Sequence, residues 1–136
     1  MIIGIIVPCY NEEEYLNTEA ILKFIQTSEG YHLCFVNDGS NDGTLSVLRD
    51  VKAQISERVS IVDVKKNKGK AAAVWAGARY LSNKENIDYI AYMSANNFSN
   101  PERLISNFDK ENLAMPIFKS ICKTEDLKKG FLEAVL

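Results

Sequence analysis

The stretch "HLCFVNDGSNDGTLSVL", residues 32–48, contains the change of period that decides the fold. It opens with an apolar run that predicts a buried strand over residues 32–36. Two Asp-Gly steps follow within six residues, and such steps mark a turn. Beyond the turn, apolar residues recur at the spacing of one helix face: Leu45, Leu48, Val51 and Ile55. The stretch therefore predicts a strand, a tight turn and a helix.

The same alternation extends along most of the chain. Apolar runs at residues 2–7, 32–36, 59–64 and 88–93 predict four strands, and most are apolar on both faces, as in parallel strands covered on both sides. Two further helical stripes consist of Leu16, Ala20, Ile21, Phe24 and Ile25, and of Val74, Gly77, Ala78 and Leu81. The regular spacing of the strands predicts right-handed crossovers and an α/β fold, with an open, mainly parallel sheet and helices on both faces.

The last third of the chain gives a weaker pattern. Asn100 and Pro101 suit the start of a fourth helix. Residues 112–118 are compatible with a fifth strand, and residues 124–136 with a final amphipathic helix. We expect a single domain over residues 1–136, in which residues 109–136 form a tail.

Composition narrows the class of protein. The chain of 136 residues carries 16 basic and 18 acidic side chains, and its net charge of -2 argues against a nucleic-acid partner. Cys9, Cys34 and Cys122 lack C-x-x-C spacing and predict reduced thiols, while His32 is predicted to be a polar residue at a strand edge. No apolar run approaches the roughly 20 residues that span a bilayer, and no signal peptide precedes the first strand. We expect a cytoplasmic protein without a transmembrane segment, free or peripheral at the membrane.

Ligands of doubly wound sheets bind outside the carboxyl ends of the strands, so the loops there are the candidate site. In the first loop Pro8 ends the strand, Tyr10 offers a ring that stacks on a base or ribose, and Glu12 offers acceptors for ribose hydroxyls. The structural alternative is that Asn11 caps the first helix, with residues 12–14 near its positive end.

The second and third loops offer an acceptor and a phosphate site. Asp38 ends a strand, where its carboxylate suits the N3–H of uracil or a guanine; alternatively it only shapes the turn, with Asn41 or Asp42 capping the next helix. Gly69 starts a helix between Lys68 and Lys70, and the free N–H groups, helix dipole and lysines suit a diphosphate. A solvated basic turn is the alternative. The chain has neither G-x-G-x-x-G nor G-x-x-x-x-G-K-[ST].

Together these loops resemble glycosyltransferase family 2, which has the GT-A fold. The matching segments are "IIVPCYNEEEYL", "CFVNDGSNDGT", "KNKGKAAAVWAGARYL" and "YIAYMSANNFSNPERL", within residues 2 to about 108. The resemblance implies a nucleotide-sugar-binding domain, with nucleotide contacts from Pro8, Tyr10, Glu12, Asp38, Asn67, Gly69 and Lys70. The third loop resembles the branch that uses polyprenyl-phosphate acceptors, which includes both UDP- and GDP-sugar users.

The sequence departs from the family in two places. Family members have an Asp-x-Asp motif that holds Mg²⁺ or Mn²⁺, and this chain has Ser94, Ala95 and Asn96 at the matching positions. The side chains of Ser94 and Asn96 still offer oxygens, but the two negative charges are absent. Metal binding is therefore predicted to be weak or absent. Family members also continue into an acceptor half that carries the general base, whereas about 40 residues follow Asn96 here. "TED" at 124–126 suits a helix start better than a catalytic base.

Two functions follow from the resemblance. The first is transfer of a sugar from a UDP- or GDP-sugar to an acceptor such as polyprenyl phosphate or a growing glycan, with Lys68 and Lys70 partly replacing the metal. The second is an inactive nucleotide-binding or assembly module. We expect a homo-oligomer or a partner chain that covers the sheet. The apolar tail residues either cover the sheet themselves or pair with another subunit, and they are Leu127, Phe131, Leu132, Val135 and Leu136. A flavodoxin-like domain would need a paired acidic pocket after the first strand, which Pro8 and Cys9 do not supply.

Overall fold

The computed structural model describes residues 2–84, 86–99 and 120–123. Within these ranges five strands form one sheet and three α-helices pack on it. The elements are β1 (Ile3–Cys9), α1 (Thr18–Thr27), β2 (Tyr31–Asp38), α2 (Thr44–Gln54), β3 (Val59–Val64), α3 (Lys70–Ser82), β4 (Tyr89–Tyr92), a 3-10 turn (Ala95–Ser99) and β5 (Ser120–Lys123). The four predicted strands therefore exist, each within two residues of its predicted ends.

The sheet has the order β3-β2-β1-β4-β5, and its first four strands are parallel. Ile3 of β1 lies opposite both Tyr31 and Tyr89, and Asp38 lies opposite Val64, so the carboxyl ends of these strands meet at one edge of the sheet. The fifth strand, β5, runs antiparallel to β4. The predicted α/β class and mainly parallel, open sheet are confirmed.

Pro8 does not end the first strand, as the sequence suggested. β1 continues through Pro8, which lies opposite Val36, to Cys9. The neighbouring β4 pairs with β1 only as far as Ile6, opposite Tyr92. Because Pro8 lies beyond that paired segment, its missing N–H removes no hydrogen bond from the β1–β4 ladder, and the strand tolerates it.

Helices cover the two faces of the sheet unequally. Helices α1 and α2 pack on one face, where the rings of Phe24, Phe35 and Phe98 meet with centroids 6.1 to 6.2 Å apart. Helix α3 packs alone on the other face among the described elements. Its Gly77 lies so close to the sheet that a Cβ atom there would sit 2.7 Å from a methyl group of Ile6. The glycine therefore allows α3 to approach the central strand.

The helices begin at different residues from those expected. Asn17, not Asn11, caps α1, because its side chain accepts the N–H of Ala20 at 2.9 Å. Helix α2 starts after Gly43, which offers no side chain, while Asp42 accepts the N–H of Thr44 at 3.0 Å. The predicted cap at Asn11 is wrong because a longer loop, held against the second loop, precedes α1.

His32 is buried within the sheet and is not a polar residue at its edge. Its Nε2 lies 2.7 Å from the hydroxyl of Ser60 on the neighbouring strand. Burial, reinforced by the positive charges of Lys84, Lys52 and Arg58, lowers the pKa of His32 from 6.5 to about 4. The pair therefore joins β2 to β3 through a neutral imidazole.

Several predictions fall outside the described residues. These are the helix expected from Asn100, the strand at 112–118, and the tail at 124–136 with its "TED" segment. Within the described ranges, β4 is followed by the 3-10 turn, which buries Phe98 in the core. None of the helices described is long and apolar enough to cross a membrane.

Candidate functional site

A cleft of about 250 Å³ lies at the carboxyl edge of the sheet. It is bordered by the loops after β1, β2, β3 and β4, as expected for a doubly wound sheet. Its lining includes all seven residues that the sequence assigns to a nucleotide, namely Pro8, Tyr10, Glu12, Asp38, Asn67, Gly69 and Lys70. Cys9, Ser94 and Ala95 complete the lining.

Asp38 ties the second loop to the third. The residue is buried, and its Oδ1 accepts the backbone N–H of Lys68 at 3.1 Å while its Oδ2 accepts that of Gly69 at 3.2 Å. The side-chain amide of Asn67 donates to Oδ2 at 3.3 Å and to the backbone oxygen of Asp38 at 3.1 Å. The carboxylate therefore organises the start of α3, besides facing the cleft.

This arrangement changes the expected phosphate site. The N–H groups of Lys68 and Gly69, which the sequence suggested for a diphosphate, bind the carboxylate of Asp38 instead. Lys68 lines a neighbouring groove with Trp75 and Arg79. Of the two lysines that flank Gly69, Lys70 is the one that lines the cleft.

Gly39 makes the contact between the second and third loops possible. Its φ is +65°, and a Cβ atom there would lie 2.3 Å from the backbone nitrogen of Asn67. Its own N–H donates to the oxygen of Val64 at 2.8 Å. No side chain fits between the two backbones. The glycine of this Asp-Gly step is therefore needed both for the left-handed conformation and for the close packing of the two loops.

The first loop is held on the second by hydrogen bonds that leave Tyr10 and Glu12 directed at the cleft. Asn11, whose φ is +50°, donates its N–H to Ser40 at 3.0 Å and accepts the N–H of Asn41 at 2.8 Å. The N–H of Glu12 donates to the hydroxyl of the buried Thr44 at 2.8 Å. Tyr10 stays 45% exposed, so it is accessible to a ligand.

The charged groups of the cleft are few. Glu12 and Asp38 supply carboxylates, and Lys70, the first residue of α3, supplies an ammonium group. Within the described ranges the one ion pair joins Lys65 to Asp63, so no described carboxylate pairs with Lys70. Burial, with a smaller contribution from Glu12, raises the pKa of the Cys9 thiol far above its ordinary value. Cys9 is therefore a neutral part of the wall.

The position of the expected metal ligands is polar but uncharged. Ser94 lines the cleft and its hydroxyl accepts the N–H of Asn96 at 3.4 Å, whereas Asn96 is exposed and is not part of the described lining. Across the described residues, no group of three His, Cys, Asp or Glu side chains is placed to hold a metal ion. A hydroxyl and an amide do not fit Mg²⁺ or Mn²⁺, which favour anionic oxygens.

Comparison with known sequences identifies the family. The sequence profile described as Glycosyl transferase family 2 matches residues 4–131. The chain belongs to glycosyltransferase family 2. The glycosyltransferase YkcC of Bacillus subtilis strain 168, itself uncharacterized, is 44% identical to this family 2 chain over 80 residues, which cover 57% of the chain and 24% of YkcC.

A relative with an assigned activity is also similar to this family 2 chain. The undecaprenyl-phosphate 4-deoxy-4-formamido-L-arabinose transferase of Aeromonas hydrophila is 32% identical over 81 residues, or 56% of this chain and 24% of that protein. The family 2 chain thus matches about a quarter of the length of these relatives.

Solved glycosyltransferases share the fold. The mannosyltransferase PcManGT from Pyrobaculum calidifontis, in complex with GDP-Man and Mn²⁺, superposes with a TM-score of 0.57 and 23% identity, covering 69% of this chain and 27% of that one. S. aureus TarS 1-349 in complex with UDP gives a TM-score of 0.56 and 18% identity, covering 71% of this chain and 28% of that one. These similarities establish the GT-A fold of the family 2 chain.

Proposed function

We propose that this chain forms the donor-binding part of a glycosyltransferase, which transfers a sugar from a UDP- or GDP-sugar to an acceptor. The observation that supports it is the convergence, on one cleft, of seven residues from three separate loops that were selected for nucleotide binding from the sequence alone. Convergence of polar groups at the carboxyl edge of a parallel sheet is the usual arrangement of a ligand site in this fold. We assign the whole of residues 1–136 to this one domain.

The base and ribose occupy the side of the cleft formed by the first two loops. Asp38 uses its carboxylate for three hydrogen bonds from the third loop, and a carboxylate has about four acceptor positions, so capacity remains for an N–H of the base. The half-exposed ring of Tyr10 stacks on the base or ribose. Glu12 accepts hydrogen bonds from the ribose hydroxyls.

The diphosphate lies toward the start of α3. This end of the helix carries partial positive charge, and Lys70 adds a full charge beside it. The donor sugar then extends toward Ser94 and Ala95, which line the remaining wall. In this orientation the residues of the cleft bind and orient the donor, while Lys70 stabilises the charge that develops on the leaving diphosphate.

A polyprenyl phosphate is the acceptor we favour, and a growing glycan is the second choice. The relative from Aeromonas hydrophila, which acts on undecaprenyl phosphate, supports this choice. Such a reaction requires the protein to work in the cytoplasm at the membrane surface. We also propose that a second copy or a partner chain covers the sheet and contributes to the acceptor side.

Calorimetric titration of UDP and GDP tests the nucleotide site. We expect Tyr10→Ala to weaken the preferred nucleotide by about 5- to 100-fold, because base–aromatic stacking is worth roughly 1–3 kcal/mol. Tyr15→Ala is the matched control, since Tyr15 is 71% exposed and lies outside the described lining of the cleft. Failure of both nucleotides to bind the unmodified chain contradicts the proposal.

The uncharged metal position supports a second candidate, a nucleotide-binding or assembly module that performs no transfer. Ser94 and Asn96 replace the carboxylates that the family uses to hold the metal. Turnover of UDP- and GDP-sugars with undecaprenyl phosphate and excess Mn²⁺ separates the two candidates. Sugar transfer favours the enzyme, whereas nucleotide binding without transfer or hydrolysis at high protein concentration favours the module. Light scattering tests the assembly role, because a stable monomer at high concentration argues against it.

A further inference from the structure

Ser94 lines the cleft and Asn96 lies two residues further along the same loop, so a charge at either position would affect a diphosphate bound there. Two carboxylates there would repel a diphosphate unless a dication lay between them, because like charges at short range oppose binding. Ser94 and Asn96 are neutral, so this chain has no such repulsion to offset at those positions. They also offer too little charge to attract a hard dication from water. The absence of acids at these positions therefore removes both the metal's ligands and the repulsion that a metal would otherwise have to offset, and it leaves the charge of the diphosphate itself to be neutralised.

Lys70 supplies a positive charge in the same cleft. It is the first residue of α3 and its side chain is exposed, so its ammonium group is available to a ligand. It forms no ion pair with a carboxylate in the part of the chain that the structure describes. The N-terminus of the 13-residue helix α3 adds partial positive charge at the same place.

Two other basic residues of this region have contacts outside the cleft. Lys68 lines the neighbouring groove with Trp75 and Arg79, and Lys65 pairs with Asp63. The N–H groups of Lys68 and Gly69 are held by Asp38, so they do not form a phosphate-binding loop. Lys70 is therefore the residue that brings a full positive charge to the described lining of the cleft.

We propose that the cleft binds a nucleoside diphosphate without a divalent cation, with the ammonium group of Lys70 taking the place of the metal as the charge partner of the diphosphate. This inference rests on the proposed nucleotide-binding function. It makes binding insensitive to chelators and sensitive to ionic strength, because one exposed ion pair is screened by salt. It also separates the chain from relatives that hold the metal through two carboxylates.

Calorimetric titration of the full chain with UDP and with GDP, in excess EDTA and again in excess Mn²⁺, tests the inference. We expect the Kd of the preferred nucleotide to agree within about threefold between the two conditions. Lys70→Gln should weaken binding by about tenfold or more in EDTA, as expected for loss of one charge-assisted contact. Lys70→Arg, which keeps the charge, should recover most of the affinity.

Lys84→Gln is the matched control for net charge. Lys84 lies two residues beyond the C-terminal end of α3, about 20 Å from Lys70 by helical rise, and its ammonium group lies 5.6 Å from the centre of the Tyr80 ring. Its removal should change the Kd by less than about twofold because of that distance and salt screening. Thermal melting of each variant checks that the fold is retained, so that a lost affinity is not mistaken for unfolding.

A double variant tests the argument in reverse. Ser94→Asp combined with Asn96→Asp should weaken nucleotide binding by about tenfold or more in EDTA, and Mn²⁺ should restore it. Equal binding of this variant in EDTA and in Mn²⁺ would place the two positions away from the diphosphate and overturn the inference.

The outcomes distinguish the inference from the proposed function. Binding to the unmodified chain only when Mn²⁺ is present overturns the inference and leaves the nucleotide site in place. An unchanged Kd in Lys70→Gln also overturns the inference alone. If neither nucleotide binds under any condition, both the inference and the proposed function are wrong.

Discussion

The carboxylate of Asp38 holds the start of α3, because its Oδ2 accepts the N–H of Gly69 at 3.2 Å across a sequence separation of 31 residues. The same side chain lines the cleft proposed for the nucleotide. One residue at the end of β2 thus connects loop conformation to ligand recognition. A change at this position should affect both properties, whereas changes at its neighbours should separate them.

Replacement of Asp38 by asparagine should lower the free energy of unfolding by about 1–3 kcal/mol, because an amide NH₂ group then faces the donors that the carboxylate accepts. The nucleotide affinity should fall as well. Urea unfolding measures the first effect and calorimetric titration the second. Asp50→Asn is the control: Asp50 lies exposed on α2, and its replacement should change stability by less than about 0.5 kcal/mol. Equal stability of the two variants would contradict the anchoring role.

The two glycines of the second and third loops should respond differently to alanine. Gly39→Ala adds a Cβ atom 2.3 Å from the nitrogen of Asn67 and strains a φ of +65°, so we expect a loss of about 3–5 kcal/mol in unfolding free energy. Gly69→Ala, at φ +97°, meets nothing within 4 Å and should cost about 1–3 kcal/mol from backbone strain alone. Chemical denaturation compares them, and a Gly69→Ala variant as unstable as Gly39→Ala would refute the steric argument.

Asn11 combines a backbone conformation with a side-chain contact, and two substitutions separate these contributions. Asn11→Gly keeps the φ of +50° accessible but loses the acceptor for the N–H of Asn41, so it should destabilise by about 1 kcal/mol. Asn11→Ala adds backbone strain and should cost about 1 kcal/mol more. Both values come from equilibrium unfolding in urea. If alanine is tolerated better than glycine, the left-handed conformation is not needed.

His32 should make stability depend on pH. Its pKa is lowered from 6.5 to about 4 in the folded chain, mainly by burial, so the unfolded chain takes up the proton first as pH falls. The stability is complete well above pH 6.5 and should decrease by about 2–3 kcal/mol between pH 6.5 and pH 4. Asp42 and Asp63, whose pKa values are lowered, lose their contributions at more acidic pH.

Unfolding curves at several pH values test the contribution of His32. His32→Gln has no titrating group at this position, so its free energy of unfolding should lack the decrease between pH 6.5 and pH 4. The comparison uses the slope against pH and not the absolute stability, since the substitution also changes the contact with Ser60. Parallel slopes for the two proteins would exclude His32 as the source.

The sequence predicts the strands of the sheet well, because a strand that is buried on both faces is a continuous apolar run. The run at 59–64 becomes β3 with the same ends, and the stripe formed by Val74, Gly77, Ala78 and Leu81 is buried on α3. The sequence predicts helix caps poorly, because several polar residues precede each helix and tertiary contacts determine which of them caps it. Asn11 binds the second loop, which leaves Asn17 to cap α1.

Most of the residues that line the cleft could be predicted from the sequence. Position after a strand made Tyr10, Glu12 and Asp38 candidates, since parallel strands bring those loops together, and the family resemblance then assigned them to the nucleotide. The partners of Asp38 were not predictable, because Lys68 and Gly69 are 30 and 31 residues away and their N–H groups carry no sequence signal. For the same reason the placement of Lys70 at the cleft and of Lys68 at the neighbouring groove required three-dimensional information.

Asn11 joins the first loop to the second, and Asp38 joins the second to the third. Substitutions in the fourth loop leave these particular hydrogen bonds in place, so the metal position can change over evolution while they are kept. In the proposed function, recognition of a base and neutralisation of the diphosphate charge then depend on separate parts of the chain. A descendant could exchange one way of neutralising charge for another without first losing its ligand.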